Sequence, residues 1–475
     1  RLALVQFVSF VHYIYMHRSL DLTTLGNLAK GSFVIMNSSG SSTFDNLPDD
    51  CLGLIDKHLD SYSRGNLLRT CRKLRQSPAL LSSLHRGILT VQIPLCIAVL
   101  APPLSCRLTV LCLRAPYSLL HGKRELAKGE LLLDTLESLH AGMHTEGQGG
   151  CWPMIHTLDL QGWHLADYAS SKTGSAMVKS ITLAFPNLTR VRLNHWAFSS
   201  AMLSTISVIS SLPKLKALQI SNITLAEEEL QVLCSFCPLC RTLESLEIDN
   251  ISISREWDHL ASLDISYLGD LTRLMFLEIS GSFAGRFAVD KGVEEVLTQC
   301  KRLLDIRVSG CSFWDGLSLR SNSLRSMHLQ LAPDSFPPAS VCCPQLTSLQ
   351  IDSLQVPRGC GDQHFLLNLA TDTPLLQTLR LSTPEFCSVN VLQDMITHLA
   401  RSDKPPPLDH VSVPDFKLKR QRSSSQKQLL DVGPLAVFGD SLGFLELSCC
   451  SGNVEFVGVQ ALRESCPRLQ KLLVL

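Results

Sequence analysis

A frame of three apolar positions recurs along most of the chain, in the order apolar, two variable residues, apolar, one variable residue, apolar. Leu243, Leu246 and Ile248 form one copy. The second half of the frame alternates with the period of a β-strand, so Leu246 and Ile248 point to one face and Glu247 to the other. The copies begin at Leu108, Ile155, Leu188, Leu215, Leu243, Leu274, Leu303, Leu324, Leu346, Leu376, Leu408, Leu442 and Leu469.

The average spacing of these copies is about 30 residues, which resembles the spacing of leucine-rich repeats. The resemblance implies an α/β fold, a curved solenoid or horseshoe with parallel strands inside and helices outside, which we predict for residues 151–475. Helical patterns between the frames are expected at residues 226–234, 292–300, 365–370, 391–400 and 456–466. The copies around Leu324 are too closely spaced for a full helix, and we expect only a turn or a short helix there.

The residue pattern of the segment 44–85 differs from that of the repeats and predicts three short helices. The proline and two carboxylates at 48–50 suit the first turn of a helix, and the following apolar positions recur at spacings of three and four. About 40 residues bury little core of their own, so this module needs an apolar partner or the solenoid. Its candidate contact residues are Leu47, Pro48, Leu52, Ile55, Leu59, Leu67, Cys71 and Leu74.

These positions, with the runs at 71–75 (CRKLR) and 77–80 (SPAL), resemble an F-box. An F-box followed by leucine-rich repeats is the architecture of substrate receptors of cullin-RING ubiquitin ligases. The resemblance implies that the eight residues contact the ligase's adaptor subunit and that catalysis belongs to other subunits. Leu74 stands where many F-boxes carry Trp, and the turn at 61–64 lacks the usual acidic-proline character.

A second interpretation of the same module is a helical cap on a stand-alone leucine-rich-repeat scaffold, because a solenoid must cover its terminal faces. An apolar surface left exposed by residues 47–74 favours the ligase subunit. Burial of that surface against the repeat that begins at Leu108 favours the scaffold. An extracellular receptor is a third, weaker interpretation, because the repeats lack the Asn-x-Leu-x-Gly-x-Ile-Pro pattern of extracellular plant-type repeats.

The variable residues that flank the second and third apolar positions should point to the inner, concave surface, where we predict that a protein substrate binds. They form a basic spot at Arg190 and Arg192 and an acidic spot at Glu247, Asp249 and Glu278, which suits a partner of matching charge. For any single residue the alternative is a solvated strand position. The candidate substrate-binding residues are Arg190, Arg192, Glu247, Asp249, Glu278, Arg307, His328 and Arg380.

Composition and motifs argue against several classes of function, among them nucleic-acid binding and catalysis. The chain has 43 Lys and Arg against 43 Asp and Glu, so no global field favours nucleic acid. Its 18 cysteines are scattered along the chain and do not form the dense disulfide framework of a small secreted domain. This usage indicates a reducing compartment, the cytoplasm or nucleus. Phosphate-loop, nucleophile-elbow and zinc-protease motifs are absent. Cys234, Cys237 and Cys240 have a metal-like spacing but lack a fourth ligand, so we predict no metal site. From the missing motifs we likewise predict no catalytic residue, cofactor or small-molecule ligand.

Three segments lie outside the regular repeats. Residues 1–43 read as a non-native or flexible leader, although 1–35 could also be an ordinary helix or a targeting segment. The apolar run at 2–16 is too short to cross a bilayer, so no membrane partner is expected. Residues 86–150 read as a linker and a first irregular repeat. The basic, serine-rich run 417–428 is predicted to be a mobile loop, with nuclear import, phosphorylation at 423–425 or simple solvation as its possible roles.

Overall fold

A computed structural model describes the repeat region and little of what precedes it. The described residues are 88–92, 110–114, 154–161, 171–194, 209, 212–222, 224–225, 242–253, 261–281, 287–311, 318–332, 338–356, 364–382, 384–386, 388–402, 404–418, 428–450 and 454–474. The chain divides into two units, residues 1–89 and 90–475. The leader at 1–43 and the helical module at 44–85 lie outside the described residues.

Most described elements are β-strands. They are β1 (Ile88–Gln92), β2 (Val110–Arg114), β3 (Thr157–Gln161), β4 (Arg190–Asn194), β5 (Ala217–Ser221), β6 (Thr224–Leu225), β7 (Ser245–Ile253), β8 (Ala261–Asp264), β9 (Phe276–Gly281), β10 (Phe287–Lys291), β11 (Asp305–Cys311), β12 (Ser318–Arg320), β13 (Ser326–Leu331), β14 (Ser340–Cys342), β15 (Ser348–Asp352), β16 (Gln355–Val356), β17 (Thr378–Ser382), β18 (Glu385–Phe386), β19 (His410–Leu418), β20 (Gln428–Asp431), β21 (Phe444–Cys449), β22 (Val454–Val457) and β23 (Lys471–Val474).

Five α-helices and two 3-10 helices accompany these strands in the part of the chain that the structure describes. The α-helices are α1 (Ser171–Ala184), α2 (Val293–Gln299), α3 (His364–Asp372), α4 (Val389–Arg401) and α5 (Val459–Ser465). The 3-10 helices are Ser266–Asp270 and Gly433–Phe438.

Thirteen of the strands form one continuous parallel ladder, in the order β2, β3, β4, β5, β7, β9, β11, β13, β15, β17, β19, β21, β23. Each begins two residues after the first position of a repeat frame, as β9 begins at Phe276 after Leu274. The frame predicted from the sequence therefore marks where each ladder strand begins and which residues of adjacent strands pair. The result is an α/β fold of mostly parallel strands with few helices, consistent with a repeat solenoid.

The core runs behind this ladder as rows of apolar side chains. The second frame positions pair from strand to strand, as Leu246 pairs with Leu277 and Leu277 with Ile306. These three residues are fully buried, and the third-position residues beside them are buried as well. Because every row is shared with the strands before and after it, each repeat depends on its neighbours for its core.

Residues with a left-handed backbone follow two of the ladder strands, β5 and β15, and interrupt two others, β7 and β19, where the pairing register shifts. Asn222, Asn250, Ser353 and Asp415 have φ of 55°, 53°, 60° and 54°. Asn and Asp tolerate this region better than most residues because their short polar side chains can hydrogen-bond locally. The Asn250 side chain donates from Nδ2 to Oδ1 of Asn222 in the previous repeat. These polar residues thus bend the chain, and the contact between Asn250 and Asn222 joins adjacent repeats.

The helices that the sequence predicts at 292–300, 365–370 and 391–400 are present as α2, α3 and α4. α4 buries Val389, Leu392, Ile396 and Leu399, the spacing of one helical face. The helix predicted at 456–466 begins only at Val459, because the residues before it form β22. The helix predicted at 226–234 lies outside the described residues. Neighbouring helices pack on one another, as α3 does on α4 and α2 on the 3-10 helix at 266–270.

Two details of the prediction were wrong. The short repeats around Leu324 carry β12 and β14, which pair in parallel, where a turn or short helix was expected. A short extended segment crosses the back of the sheet in fewer residues than a helix needs. The predicted loop 417–428 is also shorter at both ends, because residues 417 and 418 continue β19 and residue 428 begins β20. Residues 419–427 lie outside the described part.

The register can be tested with two neighbouring substitutions in β17. Leu379 is 0% exposed, whereas Thr378 is half-buried on the other face. Leu379→Asp places a carboxylate in the apolar row and should lower the free energy of unfolding by about 3–5 kcal/mol. Thr378→Asp should change it by less than about 1 kcal/mol. Chemical denaturation of both variants measures the difference, and equal losses would contradict the register.

Candidate functional site

The face of the ladder opposite the core carries the polar residues, and we call it the polar face. It displays three rows, one for each strand position that points away from the core. The middle row is continuous across eleven strands. Its members are Asp159, Arg192, Gln219, Glu247, Glu278, Arg307, His328, Gln350, Arg380, Ser412 and Glu446.

All eight candidate substrate-binding residues lie on this polar face. Arg192, Glu247, Glu278, Arg307, His328 and Arg380 belong to the middle row, Arg190 to the row before it and Asp249 to the row after it. The eight candidate adaptor-binding residues, from Leu47 to Leu74, lie outside the described residues. The ladder thus brings one predicted set onto a single surface and leaves the other untested.

Acidic residues concentrate at the centre of the polar face, around one arginine. Arg307 contacts Glu278 through Nη1 at 3.6 Å and Asp305 through Nη2 at 3.2 Å. Its guanidinium also lies 5.2 Å from the centre of the Phe276 ring, within the range of a cation–π contact. Phe276 and Asp305 are strand neighbours in the first row, so the register itself places Arg307 between them and Glu278.

The basic and acidic spots expected from the sequence adjoin each other. Arg190 reaches across β5, and its Nη2 lies 3.9 Å from Oε1 of Glu247. At that distance the pair attracts without forming a hydrogen bond. Arg192 lies opposite Asp159 and Gln219 on the neighbouring strands. The surface therefore has one mixed region, acidic towards β9 and basic towards β4.

Crowded carboxylates alter the protonation of Glu278. Burial raises the pKa of Glu278, and the nearby carboxylates of Asp249, Glu247 and Asp305 raise it further against the opposing effect of Arg307. A raised pKa means that the ionised carboxylate is less stable here than in water. The ionised carboxylate of Glu278 therefore lowers the stability of the folded chain, a situation that is common at functional sites.

A second polar cluster centres on Asp352. Nε2 of His328 and Oδ2 of Asp352 are 2.7 Å apart, and Gln350 donates to Oδ1 of the same carboxylate at 3.1 Å. Burial acts to raise the pKa of Asp352, but hydrogen bonds from His328, Ser382 and Gln350 outweigh it, so the pKa is lowered. Asp352 is therefore ionised at neutral pH and orients the imidazole beside it.

An aromatic column near the last strands was not anticipated from the sequence. The rings of His410 and Phe444 stack at a centroid distance of 4.0 Å, and Nζ of Lys471 lies 5.0 Å from the centre of Phe444. Burial lowers the pKa of His410, and Arg380 and Lys471 lower it further against the opposing effect of Asp409 and Glu446. The sequence carried one signal for this column: His410, Phe444 and Lys471 each stand two residues after a frame leucine, at the first position of their strands.

A depression of about 630 Å³ opens at the start of β3, β4, β5, β7 and β9. Polar, charged and apolar residues line it together. They are Thr157, Thr189, Arg190, Lys216, Ala217, Glu244, Ser245, Glu247, Met275 and Phe276. Lys216 and Glu244 pair at 3.2 Å along one rim, so their charges offset each other. The sequence analysis identified Arg190 and Glu247 but did not anticipate a cavity between them.

Metal ligands and reactive thiols were sought among the described residues. Among them no group of three or more His, Cys, Asp and Glu side chains could hold a metal ion. Burial raises the pKa of Cys300 and of Cys343 to about 11, so both are protonated thiols at neutral pH rather than nucleophilic thiolates. None of the described helices is long and apolar enough to span a membrane.

Comparison with known proteins is sparse. No protein-family model and no curated protein matches the chain. Among solved structures, the crystal structure of the Rad7 and Elc1 complex in yeast contains a chain that resembles this one, with 14% sequence identity and a TM-score of 0.27. The match covers 76% of this chain and 93% of that chain. A likeness of this size carries no functional conclusion, and the fold stands on the strand register itself.

The raised pKa of Glu278 makes stability depend on pH. The folded protein binds this proton more tightly than the unfolded chain, so ionised Glu278 costs stability above its pKa and the cost disappears as pH falls through it. Glu278→Gln should therefore raise the melting temperature at about pH 7.5, with a gain in the free energy of unfolding of less than about 1 kcal/mol. The gain should shrink towards about pH 4.5, where the wild-type carboxyl becomes protonated.

Thermal unfolding of wild type and variant at both pH values measures this difference. Glu455→Gln, at an exposed carboxylate on β22, is the matched control and should change little at either pH. If the Glu278→Gln variant melts below wild type at the higher pH, the assignment of charge crowding is contradicted.

Proposed function

We propose that the chain is the substrate-recognition subunit of an SCF-type ubiquitin ligase. In this proposal residues 44–85 dock on the ligase's adaptor subunit, and the polar face of the repeats, on the inside of a horseshoe, binds a protein substrate. The ubiquitin-transfer chemistry belongs to other subunits, so the chain is not itself an enzyme and needs no cofactor. The scattered cysteines favour an intracellular site of action, in the cytoplasm or nucleus.

The observation that carries the proposal is the unbroken ladder with one polar face. The ten strand-to-strand steps of the middle row, about 4.8 Å each, make this polar row roughly 48 Å long, enough for a folded protein to lie along it. A surface that alternates Glu247 and Glu278 with Arg190 and Arg307 discriminates partners by charge, which a merely solvated sheet face has no need to do. The F-box resemblance supplies the second half of the proposal.

The adaptor contact is tested by removing apolar surface from the first predicted helix. Fully burying an Ile or Leu side chain is worth roughly 1.5–3 kcal/mol. Ile55→Ala combined with Leu59→Ala should then weaken adaptor binding by several hundred-fold or more, enough to move a nanomolar complex towards micromolar. Co-precipitation of purified adaptor with the full chain, followed by a titration, measures the loss.

Leu429→Ala with Val437→Ala is the control, because it removes two exposed apolar side chains from the repeat region. This variant should retain the adaptor, and all variants should keep their repeat fold by circular dichroism. If the wild-type chain brings down no adaptor, the ligase proposal fails and the stand-alone scaffold takes its place.

The substrate contact is tested by charge reversal on the polar face. Glu247→Lys with Asp249→Lys should reduce the proteins that co-purify with wild type by about tenfold or more, because like charges now meet across the interface. Affinity purification with quantitative mass spectrometry measures the change. Glu455→Lys with Glu464→Lys reverses two exposed charges on β22 and α5 and should leave the partners unchanged. Equal loss or equal retention in both variants would place the binding surface elsewhere.

A further inference from the structure

The edge of the ladder at which the strands begin carries a row of residues of its own. From β4 onwards, the residue just before each ladder strand donates its N–H to the carbonyl of the equivalent residue one repeat earlier, as Met275 does to Glu244 and Leu304 to Met275. In several repeats a β-turn precedes this row, closed by a bond such as that from the N–H of Leu274 to the carbonyl of Leu271 at 2.9 Å. We call this row, together with the two residues before each frame, the rim.

Exposed cations concentrate in the part of the rim from β5 to β13, which we call the basic rim. With Glu244 and the exposed Asp270 beside it, this part has six described cations and two carboxylates, a net charge of +4. By contrast, the rim from β15 to β21 has two carboxylates, Asp409 and Asp440, and no cation. The positive charge is therefore a local feature of the edge. The six cations are Lys214, Lys216, Arg273, Lys301, Arg302 and Arg325.

Most of these cations have no charged partner in the described part of the chain. The ion pairs there include one of them, Lys216, whose Nζ lies 3.2 Å from Oε1 of Glu244. Nζ of Lys214 donates to the neutral side chain of Asn187 at 3.2 Å. The other four form no ion pair among the described residues. The basic rim thus differs from the centre of the polar face, where Arg307 already contacts two carboxylates.

Two half-buried apolar side chains lie among the cations. Met275 and Leu304 are consecutive residues of the rim row, since Leu304 donates its N–H to the carbonyl of Met275 at 2.8 Å. Arg273 and Arg302 stand two residues before them in the chain, and Arg325 follows Leu304 in the row. A ligand lying along the basic rim therefore meets a short hydrocarbon surface bordered by guanidiniums.

We propose that the basic rim binds an extended acidic segment of a protein partner, with Asp and Glu side chains on the cations and an apolar side chain on Met275 and Leu304. Carboxylates pair with guanidiniums through charge-assisted hydrogen bonds, and opposite charge selects the partner. Four strand steps of about 4.8 Å make the basic rim roughly 19 Å long, which an extended chain spans with about six residues. The proposal goes beyond the ligase assignment and applies equally to a stand-alone scaffold.

The neighbouring carboxylates favour a narrow ligand over nucleic acid. Glu278 lies three residues along its strand from Met275, about 10 Å at about 3.3 Å per residue. Glu247 occupies the same row on β7. Phosphates of a broad polyanion would approach these carboxylates and be repelled, whereas a single extended peptide stays on the rim. The described residues of the basic rim also include no aromatic side chain on which a base could stack.

The probes are labelled ten-residue peptides, and fluorescence anisotropy with the full chain measures their affinity. The acidic probe has Leu at its two central positions and Asp or Glu elsewhere. A neutral probe replaces every Asp and Glu with Asn and Gln, and a polar probe replaces both Leu with Ser. The acidic probe should bind at least about tenfold more tightly than the neutral one. It should also bind severalfold more tightly than the polar one, and added salt should weaken it.

Two variants with the same change in net charge locate the binding. The rim variant, Arg273→Glu with Arg302→Glu, should lower the affinity for the acidic probe at least about tenfold, because like charges now meet. The control, Arg463→Glu with Arg468→Glu, reverses two exposed cations near the last strand and should leave the affinity within about twofold. All four side chains are exposed, so both variants should fold, and circular dichroism with thermal unfolding checks this.

Equal affinity for the acidic and neutral probes overturns the proposal, and so does an equal loss in the two variants. A ten-nucleotide thymidine oligonucleotide and phosphatidylcholine vesicles with phosphatidylserine test the other polyanions. If the oligonucleotide binds more tightly than the acidic probe, the rim belongs to nucleic acid and the proposal fails. It fails equally if the vesicles sediment the wild-type chain but not the rim variant.

Discussion

The parallel backbone ladder is the constraint on which every other feature of the described structure depends. Each ladder strand begins two residues after the first apolar position of a frame, and its neighbours pair with it at matching positions. Side chains alternate between faces, so a slip of one residue would place Glu278 in the core and Leu277 in water. Core, polar face and first-row depression are therefore three consequences of a single register.

Repeat length decides what lies behind the ladder. Where about 30 residues separate successive frames, the chain has room for a helix such as α3 or α4, and these pack on each other. Where the repeats shorten around Leu324, the chain crosses the back through β12 and β14 instead. Both solutions cover the same buried rows, because the leucine, isoleucine and methionine side chains must be shielded from water whichever element does it.

Electrostatics distinguishes the polar face from an ordinary solvated sheet. Strand spacing brings Glu247, Asp249, Glu278 and Asp305 close together, and Arg307 offsets only part of their repulsion. Elsewhere on the same face, His328, Ser382 and Gln350 form hydrogen bonds to the carboxylate of Asp352 and stabilise its ionised form. The central region departs from that arrangement, because burial and neighbouring carboxylates destabilise the charge of Glu278 there.

The sequence by itself determined the positions of the thirteen ladder strands, the face to which each of their residues points and the helices α2, α3 and α4. It could do so because the three-position frame and the helical spacing are local patterns, repeated often enough to exclude chance. Only the tertiary structure decided which side chains meet. That Arg190 reaches Glu247, that Arg307 lies on Phe276 and that His410 stacks on Phe444 depend on strands from separate repeats being hydrogen-bonded in register. No local pattern reports the sizes of side chains on adjacent strands, so the depression between Arg190 and Phe276 became visible only when Ala217 and Ser245 were seen side by side.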